Sequence, residues 1–275
     1  MRDAFVASIR ESNRQAAGSW GRVAGHRARV TELLTSLGGG GGRLCLLGPG
    51  RLTDVALAPL LATYRTIDLV DIDPASVDDG LMRQELVGCD AVRRHPALDL
   101  TGVLDRLPRL DHGSAAGAGQ AGDPLVARLR RDRCWVSGAP FDVTASTGVL
   151  TQLLQSVVES ALEGEAADEV ALALRDKHLA DLVALTRTGG SFVLVTDVVS
   201  TTSAPYLLTL SPDRLDEAMS DLVAARNFFT GTNPYRICEI LGGLAGVRDV
   251  TLNAPWLWPV TPDRSHLTCA VVARR

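Results

Sequence analysis

The stretch Leu44 to Asp73, LCLLGPGRLTDVALAPLLATYRTIDLVDID, constrains the fold more than any other part of the chain. Two short apolar runs, Leu44 to Leu47 and Ile67 to Ile72, are too brief for ordinary helices and are bounded by turn residues or charge. That pattern belongs to strands buried on both faces of a parallel sheet, and parallel neighbours require a crossover between them. The first run ends in Gly48-Pro49-Gly50, where glycine allows positive φ and a close backbone approach to a ligand. The second ends in Asp71 and Asp73, and Asp71 lies 21 residues beyond Gly50. This is close to the ~20-residue offset at which an acidic side chain meets ribose hydroxyls. A nucleoside-binding crevice is the reading.

A dinucleotide fingerprint would place a third glycine where the chain has Thr53, and Pro49 offers no N–H to a pyrophosphate. The expected ligand has a ribose and no phosphates, as S-adenosylmethionine does. On Gly48, Gly50 and Asp71 the chain resembles the class I methyltransferases, whose first motif is a buried strand ending in a G-x-G turn and whose second ends in an acid. The resemblance implies that Asp71 and the adjoining Ile72 contact the cofactor. The family usually carries an acid two positions before its first glycine, where this chain has Leu46; Asp54 is the candidate substitute, or else a loop or helix-start residue.

Composition narrows the rest. At 275 residues with 46% hydrophobic and 22% charged, the chain builds one large α/β domain or two small ones. A net charge of −4 gives no overall attraction to nucleic acid or anionic membrane. No apolar run approaches the ~20 residues of a membrane span and the first residues do not resemble a secretory signal, so a cytoplasmic location is expected. Five cysteines stand singly without metal-ligand spacing, which predicts neither zinc nor a disulfide framework.

Residues 3 to 37 read as helical, interrupted at Gly18 to Gly25, and the glycine run 38–42 forms a joint before the first strand. Many resembled enzymes lay such a segment over the substrate pocket, which makes Trp20 a candidate acceptor contact; packing of the helix on the sheet is the alternative. A crossover helix is expected near Pro59 to Tyr64, a second helix over 74–87, and a third strand from Ala91 to Leu98. Asp99 after it either reaches the adenine amino group, as the resemblance implies, or caps a helix. The Gly/Ala/Arg-rich region from about 110 to 132 reads as a flexible loop containing an exposed His112.

FDVTAS, Phe141 to Ser146, is the fourth strand and leads into a helix with Val149, Leu150, Leu153, Leu154 and Val157 at helical spacing. Ser146 and Thr147 then lie at the pocket mouth or at a helix cap, Ser146 toward cofactor and Thr147 toward acceptor. A long helix, Asp168 to Leu185, carries His178 as a further acceptor candidate. A fifth strand, Ser191 to Thr196, ends in Asp197, the preferred base. Asn233, Tyr235 and Arg236 combine amide, phenol and guanidinium on one turn, suited to orienting a polar acceptor, with Tyr235 as a second catalytic candidate. Val247 to Leu252 and Leu267 to Ala273 are the last two strands, joined by PWLWPVTPDRSH.

The resemblance covers about residues 43 to 275, leaving 1–42 as a helical cap and joint. It implies a three-layer Rossmann-like α/β sandwich whose seven-stranded, mostly parallel sheet runs 3-2-1-4-5-7-6 with an antiparallel seventh strand. The function it implies is methyl transfer from S-adenosylmethionine to a small molecule, without a metal; self-association stays open. The rivals are another group transfer from the same cofactor, a nicotinamide enzyme, and a non-catalytic binding protein.

Overall fold

The computed structural model describes residues 2–15, 18–108 and 122–275. Two strands at its centre are those expected: β1 (Arg43–Leu47) and β2 (Thr66–Val70) pair in parallel, with Leu44 opposite Ile67 and Leu47 opposite Val70. Successive strand side chains face opposite sides. Leu44, Leu46, Ile67 and Leu69 therefore pack under α2 (Ala24–Leu37) and α3 (Leu57–Thr63), whereas Cys45 and Leu47 enter the core on the other face. That opposite face is covered by α6 (Val149–Val158) and α7 (Gly164–Leu185). Each fully buried leucine contributes about 1.5 to 3 kcal/mol of transfer free energy, so both faces must be covered for the sheet to persist.

The sheet runs β3-β2-β1-β4-β5-β8-β6, with β3 at Val92–Arg94, β4 at Phe141–Thr147, β5 at Thr186–Ser200, β6 at Arg248–Leu252 and β8 at Ser265–Arg274. β8, antiparallel to β5, occupies the place expected of a seventh strand. An eighth strand is added: β7 (Trp256–Pro259) pairs with the first half of β8, while β6 pairs with the second half. The PWLWP segment expected to be a connector is thus an edge strand, where its prolines disturb no inner ladder.

Several boundaries differ from expectation for local reasons. β3 is three residues long, because Pro96 has no N–H to continue the ladder. The chain still follows β2 through His95 N–H to Leu69 O and Leu98 N–H to Asp71 O. α3 begins at Leu57, which leaves Pro59 in the first turn, where its missing donor costs nothing. α4 (Pro74–Arg83) ends earlier than expected. Of the supposed flexible region, residues 122–131 form α5 (Gly122–Arg131), burying Leu125, Val126 and Leu129; residues 109–121, with His112, lie outside the described residues. β5 extends to Ser200, so Asp197 sits within the strand, beside a register shift opposite β8. The remaining α-helices among the described residues are α1 (Arg2–Gln15), α8 (Leu215–Ala224) and α9 (Pro234–Gly243).

Candidate functional site

The turn after β1 is fixed by its backbone. Gly48 has φ +61° and Gly50 φ +51°, the left-handed region, and the Gly48 N–H donates to Val70 O at 2.7 Å. Asp71, just past β2, accepts from Gly50 N–H at 2.8 Å through Oδ2 and from Asp73 N–H at 2.8 Å through Oδ1. One carboxylate therefore ties the two strand-end turns together. Burial pushes its pKa up, and the same two backbone donors pull against that rise.

Asp71, Ile72, Gly48 and Gly50 line one side of a narrow crevice, and Leu98, Asp99, Leu100, Thr101 and Leu104 the other. The Asp99 carboxylate caps its own loop, accepting from Thr101 N–H at 2.8 Å and Thr101 Oγ1 at 2.7 Å, and from Leu104 N–H at 3.2 Å. Its cap role and its place at the crevice thus coincide. An acceptor carboxylate beside apolar walls suits a ribose and a planar base. Phe5 and Ile9 of α1 reach into the crevice and leave about 40 Å³, far less than a nucleoside occupies. α1 is held through Arg10 to Asp73 at 3.0 Å and Ser8 to Glu159 at 3.3 Å, and must shift for a nucleoside to seat.

Asp54 does not line this crevice; its Oδ1 lies 3.7 Å from His26 Nε2. His26 is buried, which lowers its pKa, and its Nδ1 accepts from Trp256 Nε1 at 2.9 Å. Ser146, Thr147 and His178, expected at the pocket mouth, are instead enclosed. Ser146 Oγ meets His178 Nε2 at 2.8 Å, His178 Nδ1 has no partner among the described residues, and none of the three lines this crevice or the larger cleft beside it. Small side chains at the end of an inner strand are covered by α7, which the linear pattern did not reveal.

Burial pushes the His178 pKa down to about 3. Below the ordinary histidine pKa of about 6.5 the unfolded chain takes up a proton that the native imidazole refuses, so stability falls as pH falls. For this residue alone the loss between pH 7 and pH 5 is about 2 kcal/mol. Urea unfolding at the two pH values should show His178→Gln losing less stability than the parent by about that amount. Equal pH dependence in parent and variant would contradict a neutral buried His178.

A second, larger cleft of about 880 Å³ adjoins the crevice through Phe5, Ile9 and Gln152. Glu159 and Asp168 mark its α6–α7 end, and Phe228, Phe229, Trp258 and His266 its β5–β7–β8 end. Here Asp197 meets the expectation of lying at a pocket, but its carboxylate is engaged: Oδ1 accepts from Thr151 Oγ1 at 2.9 Å and Oδ2 faces His266 Nδ1 at 2.8 Å. The His266 ring is set edge-on to Phe229 (5.5 Å, 62°) and Trp258 (5.9 Å, 86°), and Trp258 stacks on His26 (4.7 Å, 17°). Sequence reasoning missed His266 because it was read as the end of a connector. The signal was the alternation of Ser265, Leu267 and Cys269 around it.

The turn proposed to hold the acceptor is the start of α9. The Asn233 side-chain oxygen accepts from the N–H groups of Tyr235 and Arg236, both at 3.1 Å, as a helix N-cap does. Arg236 pairs with Glu239, Tyr235 is exposed, and none of the three lines the cleft. Trp20 is also elsewhere, with the Arg27 guanidinium 3.6 Å above its ring. Among the described residues no group of His, Cys, Asp or Glu could hold a metal ion.

No family model matches the chain, and no curated protein matches it. Among solved structures it is similar to N-methyltransferase NodS from Bradyrhizobium japonicum WM9 in complex with S-adenosyl-L-homocysteine, at 12% identity over 98% of each chain, with a TM-score of 0.50. It is also similar to 1,6-didemethyltoxoflavin-N1-methyltransferase from Burkholderia thailandensis, at 15% identity over 100% of this chain and 86% of that one, with a TM-score of 0.49. At 12% identity the NodS likeness is one of fold, and the chain has the Rossmann-like fold of class I methyltransferases.

Proposed function

We propose that this protein transfers a methyl group from S-adenosylmethionine to a small-molecule acceptor. The observation that carries the reading is Asp71, bonded to the Gly50 N–H across the carboxyl ends of β1 and β2, in a crevice that shares Phe5, Ile9 and Gln152 with a second cleft. In doubly wound sheets ligands bind outside the strands' carboxyl ends at the switch of strand order, here between β1 and β4. The NodS structure, solved with S-adenosyl-L-homocysteine, supports the same choice of cofactor.

When bound, the cofactor supplies a sulfonium methyl that is already electrophilic. The protein's tasks are alignment, exclusion of water and removal of an acceptor proton. Asp71 would hold the ribose hydroxyls, Leu98 and Leu104 would offer apolar surface to the base, and the glycine turn would let the backbone approach. The 880 Å³ cleft receives the acceptor, and its size fits a small molecule better than a nucleic acid. No helix among the described residues is long and apolar enough to cross a membrane. A nicotinamide dinucleotide is disfavoured by Pro49 and Thr53, which withhold the donors and the close approach a pyrophosphate needs.

Asp71→Ala removes the ribose acceptor and should weaken binding of S-adenosylhomocysteine by about 1.5 to 3 kcal/mol, roughly 10- to 150-fold. Calorimetry on the folded variant is the check; an affinity equal to the parent's would take the ribose role from Asp71.

A further inference from the structure

We propose that His266, held by Asp197, is the general base of this site and that the acceptor is an aromatic hydroxyl compound, a phenol; this rests on the methyl-transfer reading above. The Asp197 Oδ2 to His266 Nδ1 contact of 2.8 Å requires a proton on Nδ1, because a carboxylate only accepts. In the neutral ring the lone pair is then on Nε2, which has no hydrogen-bond partner among the described residues, and the side chain borders the cleft. Thr151 Oγ1 fixes the other Asp197 oxygen at 2.9 Å. Asp197 is therefore a positioning residue: it sets the tautomer and orientation of His266, and its own oxygens are occupied. This replaces the expectation that Asp197 itself removes the proton.

The surroundings of Nε2 select the acceptor. Phe229 and Trp258 stand edge-on to His266 and make this end of the cleft a wall for a planar ring. The nearest carboxylate, Asp197, is already bonded to Thr151 and His266, so it offers little to an ammonium group. A neutral aromatic amine needs no proton removed before it attacks. An aliphatic alcohol is too weakly acidic for an imidazole to assist well. A phenolic hydroxyl combines a planar ring with a proton that imidazole can take. In the step, the hydroxyl proton passes to His266 Nε2 and the oxygen forms the new O–CH3 bond. The S–CH3 bond breaks with its electron pair left on sulfur, and the imidazolium afterwards returns the proton to water.

The test uses 4-nitrophenol, whose absorbance reports its ionisation, added to the full-length protein at a pH where the free probe is mostly protonated. The parent should bind it and shift its spectrum to the phenolate form, and Trp258→Ala should weaken that binding. His266→Gln and His266→Ala should leave the bound probe protonated while S-adenosylhomocysteine affinity, measured by calorimetry, stays at the parent's value. In turnover, both His266 variants should lose roughly 10²- to 10⁴-fold on unsubstituted phenols yet retain most activity on nitrophenol once it is already ionised. Asp197→Asn should lower kcat with little change in KM. Failure of the parent to bind or ionise nitrophenol, equal losses of the His266 variants on both acceptors, or methylation of aliphatic amines alone would overturn the proposal. The spectral titration needs no methyl donor, so a protein that ionises nitrophenol but does not bind S-adenosylhomocysteine supports the base assignment and overturns the cofactor reading alone.

Discussion

Lys177→Met should destabilise the protein by about 3 to 5 kcal/mol, the scale for removing one partner of a buried ion pair. Lys177 is the only lysine in the chain, and it is almost fully enclosed. Its Nζ meets Asp181 Oδ2 at 2.5 Å and donates to Leu100 O at 3.0 Å, while Asp181 Oδ1 accepts from Cys134 N–H at 2.8 Å. Three segments distant in sequence meet at this pair: α7, the loop that forms one wall of the Asp71 crevice, and the segment after α5. Removing the ammonium leaves Asp181 buried without its counter-charge, in a site where desolvation already raises its pKa. The variant should therefore lose stability at neutral pH by urea unfolding and bind S-adenosylhomocysteine more weakly, because Leu100 O is released. Lys177→Met combined with Asp181→Leu should recover part of the stability, since an apolar pair often replaces a buried ion pair at little cost. Parent-like stability of the single variant would mean that the pair holds nothing in place.

Gly48→Ala should be nearly as damaging, for a different reason. A left-handed φ of +61° costs a non-glycine residue about 1 to 2 kcal/mol. A Cβ there would also lie 2.1 Å from Val149 Cγ2, so α6 or the turn must move. Overpacking of that kind typically costs about 1 to 3 kcal/mol, giving about 2 to 5 kcal/mol in all. Because the turn sits on the crevice, cofactor binding should fall further than stability does. Adding Val149→Ala relieves the clash but not the backbone strain, so it should recover only part of the loss. Full recovery would assign the whole effect to the clash; no change in either quantity for Gly48→Ala would remove the turn from the site.

The parts of this fold that were legible in sequence are those encoded locally. Leu44 to Leu47 and Ile67 to Ile72 announced two inner strands because both runs are short, largely apolar and bounded by turn residues or charge. Gly48 and Asp71 announced the crevice because turn chemistry and strand-end acidity occur at a spacing set by one crossover. What could not be read was decided by register and by covering elements. His266 reaches Asp197 because β8 runs antiparallel to β5 with a shifted register, so residues 69 apart in sequence meet. Ser146 and His178 resembled pocket residues, but the packing of α7 on β4 buries the two against each other. Asn233 combined the signals of a polar site and of a helix N-cap, and the Pro234 that follows it at the first helical position favoured the cap.

Calorimetric titration of the protein with S-adenosylhomocysteine, and separately with NAD, decides the cofactor. Saturable binding of one S-adenosylhomocysteine per chain, weakened by Asp71→Ala, is expected, with no saturable heat from NAD. Saturable binding of NAD with none of S-adenosylhomocysteine would contradict the methyl-transfer reading.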